Sequence, residues 1–147
     1  VSRVDGNGVG PWVASAGDTI TITSLGTVVQ VPNPNYGQPG APRFINRDYG
    51  FGALGAGSSV TIGVVAATIT GWSPTTITAQ VPANSGQLVV TRDNGGAPGK
   101  SSVVGIYLTV GGSAPVHVTN GNSIQAAIDA APAGSLIIVD PGPITRC

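Results

Sequence analysis

Apolar and polar positions alternate in short runs along most of this chain. Thr19-Ile-Thr-Ile-Thr23 puts Thr on one face and Ile on the other, as a half-buried strand does. Ser59-Val-Thr-Ile62 repeats the pattern. Thr68-Ile-Thr70 runs into Gly71-Trp-Ser-Pro74, which reads as a turn. Thr76-Ile-Thr-Ala-Gln80 begins the next strand, and Pro82 closes it because proline has no N–H to give a ladder. Gln87-Leu-Val-Val-Thr91 is followed by Asp93-Asn-Gly-Gly96, a strong turn signal. Residues 103–110 form the longest run, with Val104, Ile106, Leu108 and Val110 on one face. Short strands spaced about 8–12 residues apart, with turn residues between them, predict an antiparallel β-sandwich.

Three stretches break the rhythm. Residues 1–10 hold three glycines and read as a loose lead-in, extending to residue 16. Residues 32–57 are rich in proline and glycine and carry Tyr36, Phe44, Tyr49 and Phe51, together with Arg43, Arg47 and Asp48. A loop of that length in a compact domain is either functional or an extra structured hairpin. Gly111-Gly-Ser-Ala-Pro115 is a linker by composition, and after it the pattern changes. Ile124, Ala127, Ile128 and Ala131 fall on one helical stripe. Asn122 is the expected N-cap, with Gln125 at capping-box spacing, and Pro132 and Gly134 stop the helix. Leu136-Ile-Ile-Val139 is a continuous apolar run, as in a strand buried on both faces. A piece this small cannot bury its own surfaces and must lean on something.

An ordered set of segments resembles the IPT/TIG domain, an immunoglobulin-like fold. Gly17-Asp-Thr-Ile-Thr-Ile-Thr23 is similar to its opening strand and Tyr49-Gly-Phe-Gly52 to its aromatic–glycine turn. Ser59-Val-Thr-Ile-Gly63 and Ala67-Thr-Ile-Thr-Gly-Trp72 resemble its central strands. Thr75-Thr-Ile-Thr78 with Val81-Pro82 resembles the next strand and its stop. Ser85-Gly-Gln-Leu-Val-Val-Thr91, Asn94-Gly95 and Ser101-Ser102 resemble the last hairpin. The departure is an insertion covering residues 26–47, which puts local strand order in question. Residues 118–142 resemble something else: the N-terminal cap and first coil of a pectin-lyase-like right-handed parallel β-helix. That family continues with many further coils, so none of its catalytic residues map onto this chain. The resemblances imply a mainly β chain: an immunoglobulin-like antiparallel β-sandwich over residues 17–110, with an insertion at 26–57. A linker at 111–115 and a short helix-plus-strand appendage at 116–147 follow.

Composition narrows the function. Charged residues are 8% of the chain, six of each sign, and every acid is Asp. Six scattered cations make no basic stripe, so nucleic acid is not an expected partner. No apolar run approaches the ~18 residues of a membrane span. Zero net charge gives no long-range steering of a charged partner and suits a piece of a larger assembly. The chain opens Val-Ser-Arg, which points to a removed leader or a longer parent chain. Its single cysteine, Cys147, cannot form an internal disulfide.

Candidate chemistry is sparse. His117 is the single histidine; with Asp129 or Asp140 it could join a triad, but there is no Gly-x-Ser-x-Gly nucleophile elbow, and His117 reads as an ordinary strand residue. One His and one Cys cannot supply a zinc or copper site. Asp5-Gly-Asn-Gly8 and Asp93-Asn94 carry oxygens suited to calcium, but Asp, Asn and Gly are also what turns use. No catalytic residue, metal site or cofactor is expected. Trp12, Trp72, Tyr36 and Tyr49 are the aromatics that could form a sugar platform, with Trp72 better read as core. Tyr36, Arg43, Arg47 and Tyr49 are the expected ligand or partner contacts.

These features lead to the expectation of a non-catalytic extracellular or cell-surface module with a structural or adhesive role. Its partners would be its own copies or another surface protein, with self-assembly into a filament or sheath through the tail. Two alternatives stay open. One is a carbohydrate-binding accessory domain with a polysaccharide partner. The other is the N-terminal part of a larger secreted β-helix enzyme.

Overall fold

The structure, a computed structural model, describes residues 1–95, 97–102 and 105–142. Three short strands open it: β1 (Arg3–Gly6), β2 (Trp12–Val13) and β3 (Thr19–Thr23). The insertion contributes β4 (Val29–Pro32) and β5 (Phe44–Arg47). Then come β6 (Ser59–Ile62), β7 (Val65–Ala66), β8 (Thr68–Trp72) and β9 (Thr76–Gln80). The long β10 (Gly86–Asn94), β11 (Ala97–Ser101) and β12 (Ile106–Val110) complete the sandwich. The tail holds β13 (Val116–Val118), α1 (Ile124–Ala130) and β14 (Ile137–Val139).

One sheet runs β1-β3-β9-β8, antiparallel throughout. The second runs β2-β12-β10-β6-β7, with β11 pairing the far half of β10. Alternation decides which residues face inward. Ile20, Ile22, Ile77 and Ala79 from the first sheet meet Val60, Ile62, Leu88, Val90 and Leu108 from the second in one core. Six of these are fully buried Ile or Leu, each contributing about 1.5–3 kcal/mol through burial. The threonines between them point outward, where Thr70 donates to Thr78 at 3.1 Å. The result is the antiparallel β-sandwich that the alternation predicts.

The lead-in reading does not hold for residues 3–13. β1 pairs with β3 in one sheet, and β2 pairs in parallel with β12 in the other. Gly6 makes the crossing: a Cβ there would strike the Trp12 carbonyl and the Val13 side chain. Trp12 is buried at 7% exposure, with Nε1 donating to the Gly111 carbonyl at 2.8 Å, so it is no sugar platform. Glycine-rich composition hid these strands because they are short and owe their stability to partners far along the chain.

Other boundaries shift for local reasons. β8 extends through Gly71 and Trp72, where a turn was expected, because a bulge between Ile69 and Gly71 keeps the pairing going. β10 runs three residues past Thr91 and pairs with β11, in keeping with the hairpin that the resemblance over residues 85–102 implied, though alternation had not marked β11 itself. Val103, where the last run was expected to begin, and Val104, expected on its inner face, lie outside the described residues, as does Cys147. The insertion proves to be a structured hairpin: Val29 to Pro32 pair with Arg47 to Phe44, and neither strand joins a sandwich sheet.

In the tail, β13 and β14 form a two-stranded parallel sheet bridged by α1. The N-cap is Ser123, not Asn122: its backbone is extended and its Oγ accepts from Ala126 N at 3.3 Å. Gln125 therefore makes no capping box and donates to Asp129 at 2.7 Å instead. β14 is half-buried rather than covered on both faces: β13 and α1 pack on it, and Ile138 reaches Gly10 in the β1–β2 turn. Val118 is the tail's single buried hydrophobic side chain among the described residues.

Candidate functional site

The aromatic–glycine turn lies beneath a recess lined by residues of β10 and β11. Phe51 is buried, its ring edge-on to Trp72 with centroids 6.0 Å apart. Trp72 belongs to the core side of this cluster, and its Nε1 donates to the Gly52 carbonyl at 3.0 Å. Phe51 N donates to the Pro74 carbonyl at 2.7 Å, and Tyr49 N to the Gly26 carbonyl at 3.0 Å. Asp48 Oδ1 accepts from Gly50 N at 2.7 Å. Gly50 has no room for a side chain: a Cβ would come within 2.8 Å of the Pro74 carbonyl oxygen. Backbone and side-chain bonds thus fix the turn from both sides.

Above this turn lies an open cleft of about 250 Å³. Phe51 and Val90 form its apolar floor, and Asp48, Tyr49, Arg92 and Lys100 stand around it. Arg92 and Lys100 are direct cross-strand partners on β10 and β11. The guanidinium has one long contact, 3.5 Å from Nη1 to the Gly50 carbonyl. No carboxylate lies within ion-pair distance of either cation among the described residues; the ion pairs there are Arg3–Asp5 and His117–Asp140. Ser102 Oγ accepts from Val90 N at 3.1 Å, and Ser101 shares a hydrogen bond with Thr91 at 2.8 Å.

The four expected contact residues are not one cluster. Tyr49 lines the cleft. Tyr36 sits exposed at the hairpin tip, in a turn where Asn35 N donates to Asn33 Oδ1. Arg43 is near that tip, its guanidinium 5.3 Å from the Phe44 ring centre. Arg47 pairs with Val29 at the hairpin base and is exposed. Arg43 immediately precedes β5 and Arg47 ends it. Arg92 and Lys100 escaped the sequence reading because the register of the hairpin was not drawn. The signal was there: cations flanking a strong turn face each other once the hairpin closes.

The remaining candidates settle into structural contacts. Asp5 Oδ2 bonds Arg3 at 2.6 Å, and its other oxygen accepts from Gly10 N at 3.2 Å. No group of three or more His, Cys, Asp or Glu side chains converges among the described residues. A second recess, about 370 Å³, lies on the outer threonine face beside Arg3 and Asp5.

His117 joins the tail to the sandwich. Its Nδ1 lies 3.0 Å from Asp140 Oδ1, and its Nε2 lies 3.1 Å from the Val9 carbonyl. Both partners can only accept, so the ring fills both bonds only as the doubly protonated imidazolium. The Asp140 bond, then the Val9 bond, holds its pKa above the ordinary imidazole value. Beside this contact, Ile138 abuts Gly10. The tail therefore rests in cis on the turn between β1 and β2.

No protein-family model matches the chain, and no curated protein or solved structure is significantly similar to it. No helix is long and apolar enough to cross a membrane among the described residues.

Proposed function

We propose that this protein is a non-catalytic structural or adhesion module of an extracellular or cell-surface assembly. In this reading an IPT/TIG-type sandwich carries a β-helix-cap-like tail, and the tail joins it to another copy. The strand order supports the immunoglobulin-like part. Named A to G in that fold's convention, β1-β3-β9-β8 corresponds to A-B-E-D, and β12-β10-β6 to G-F-C. The aromatic–glycine turn, tied to Trp72, is in keeping with the IPT/TIG resemblance.

The observation that carries the assembly role is the open parallel pair in the tail. Parallel sheets are normally covered on both faces and extended by further strands. Here the two parallel strands have no further strand beside them among the described residues, with Ile128 50% exposed and Val139 41% exposed. α1 buries none of its residues fully. Such a surface is stabilised by stacking a second β-layer against it, and neutral net charge allows copies to approach closely.

The test is particle mass against concentration for the full chain, a chain ending at residue 111, and full-length Ile128→Asp. Ordered polymers from the full chain alone are the expected result. Monomers of the full chain at every concentration would overturn the reading, and would assign the open face to further coils of a longer β-helix chain.

A further inference from the structure

We propose that the cleft beside the aromatic–glycine turn binds one acidic sugar residue of a polysaccharide. Its carboxylate lies between Arg92 and Lys100, and its ring lies against Tyr49. The site is separate from the tail and does not depend on assembly.

The first argument is charge. Like charges directly opposite each other on antiparallel strands are destabilising. Arg92 and Lys100 hold that arrangement in a chain with six cations in all. Neither has a carboxylate within ion-pair distance among the described residues. Asp48, the cleft's one carboxylate, spends an oxygen on Gly50 N. An anion placed between the two cations removes the repulsion and gains charge-assisted hydrogen bonds. The guanidinium fork suits a carboxylate in particular.

The second argument is shape and polarity. Ligand sites combine an apolar base with a few convergent polar groups. Phe51 and Val90 supply the base. Tyr49, 40% exposed at the rim, supplies an aromatic face for the C–H side of a sugar ring. Asp48 has a second oxygen able to accept from ring hydroxyls, and the Ser102 hydroxyl retains its proton for donation. At about 250 Å³ the space takes a single ring, and its open top lets a polymer pass through. The groups are preorganised, because the turn beneath them is fixed by the Trp72, Pro74 and Gly26 contacts.

Two cations in one recess are too few for a nucleic-acid backbone, which needs a charged track. An acidic peptide would satisfy the cations but would leave Tyr49 and the Asp48 oxygen without a purpose.

The experiment titrates full-length Ile128→Asp protein, so that assembly does not interfere. The probes are a uronic-acid trisaccharide, the neutral trisaccharide of the same linkage, and sodium acetate. Binding is read by calorimetry and by chemical-shift changes at residues 48–51. The acidic trisaccharide should bind at least about tenfold more tightly than either control. Arg92→Gln and Lys100→Gln should each weaken it about tenfold, and Arg3→Gln should leave it unchanged. Tyr49→Ala should bring the trisaccharide down toward the affinity of acetate. Equal binding of the acidic and neutral sugars would overturn the proposal, as would acetate binding as tightly as the trisaccharide. So would absence of binding, or insensitivity to both cation substitutions in variants that retain the wild-type melting temperature.

Discussion

Trp72 holds Phe51 edge-on at 6.0 Å while its indole nitrogen bonds the carbonyl of the next residue, Gly52. One side chain thus packs and tethers the same four-residue turn. Trp72→Phe keeps most of the apolar contact and removes the donor, leaving the Gly52 carbonyl without it. The expected loss is about 1–3 kcal/mol in urea unfolding. Hydrogen exchange at residues 49–52 should rise well beyond the rise elsewhere; a uniform change would separate the tether from the turn.

Core and hairpin should respond differently to the same truncation. Ile77→Ala empties a fully buried position and should cost about 2–5 kcal/mol. Ile45→Ala lies on the half-exposed hairpin and should cost under about 1 kcal/mol. Equal losses in chemical denaturation would show that the hairpin is part of the cooperative unit.

The hairpin itself should be dispensable for stability. It pairs with neither sheet, and an isolated two-stranded hairpin is marginal in water. Replacing residues 30–46 with a four-residue Gly-Ser linker should leave the melting temperature within about 5 °C, measured by calorimetry. A collapse of the transition would place unseen support in the hairpin.

Docking of the tail should depend on pH. The folded pKa of His117 is raised, so the stabilisation is fully present below the ordinary imidazole value and is lost as pH rises through the folded value. Both side chains of the His117–Asp140 pair are about one-third exposed, so solvent and salt screen the effect. Amides of residues 116–118 should exchange faster above that pH, after correction for intrinsic rates. His117→Asn should abolish the pH step. A step that survives the substitution would assign it to another group.

Much of the sandwich was legible because alternation is a local signal: Ile20 and Ile22, or Ile77 and Ala79, declare an inner face by themselves. β1 and β2 were not legible, and β11 was implied only by the hairpin resemblance, with no alternation of its own. They are short or glycine-bearing, and their pairing with Thr23, Thr109 and Thr91 is settled by distant residues. The candidate site was read in half for the same reason. Tyr49 announces itself within a motif, whereas Arg92 and Lys100 meet only when β10 folds back on β11. The helix cap slipped by one residue, since Asn122 and Ser123 are both competent caps and backbone geometry chooses between them.

The parallel pairing of β2 with β12 bears on tension. When the chain is pulled from both ends, β1 and the tail contacts take the load first, and once they part these two strands are drawn past each other lengthwise. The bonds from Thr109 N to Pro11 O, at 3.0 Å, and from Gly111 N to Val13 O, at 2.8 Å, lie across that pull. The Trp12 indole bond to Gly111 reinforces them. They must rupture together, like a row of rivets, whereas a hairpin pulled at its open end parts one bond at a time. A string of such domains would stretch little until a threshold force and then give way abruptly.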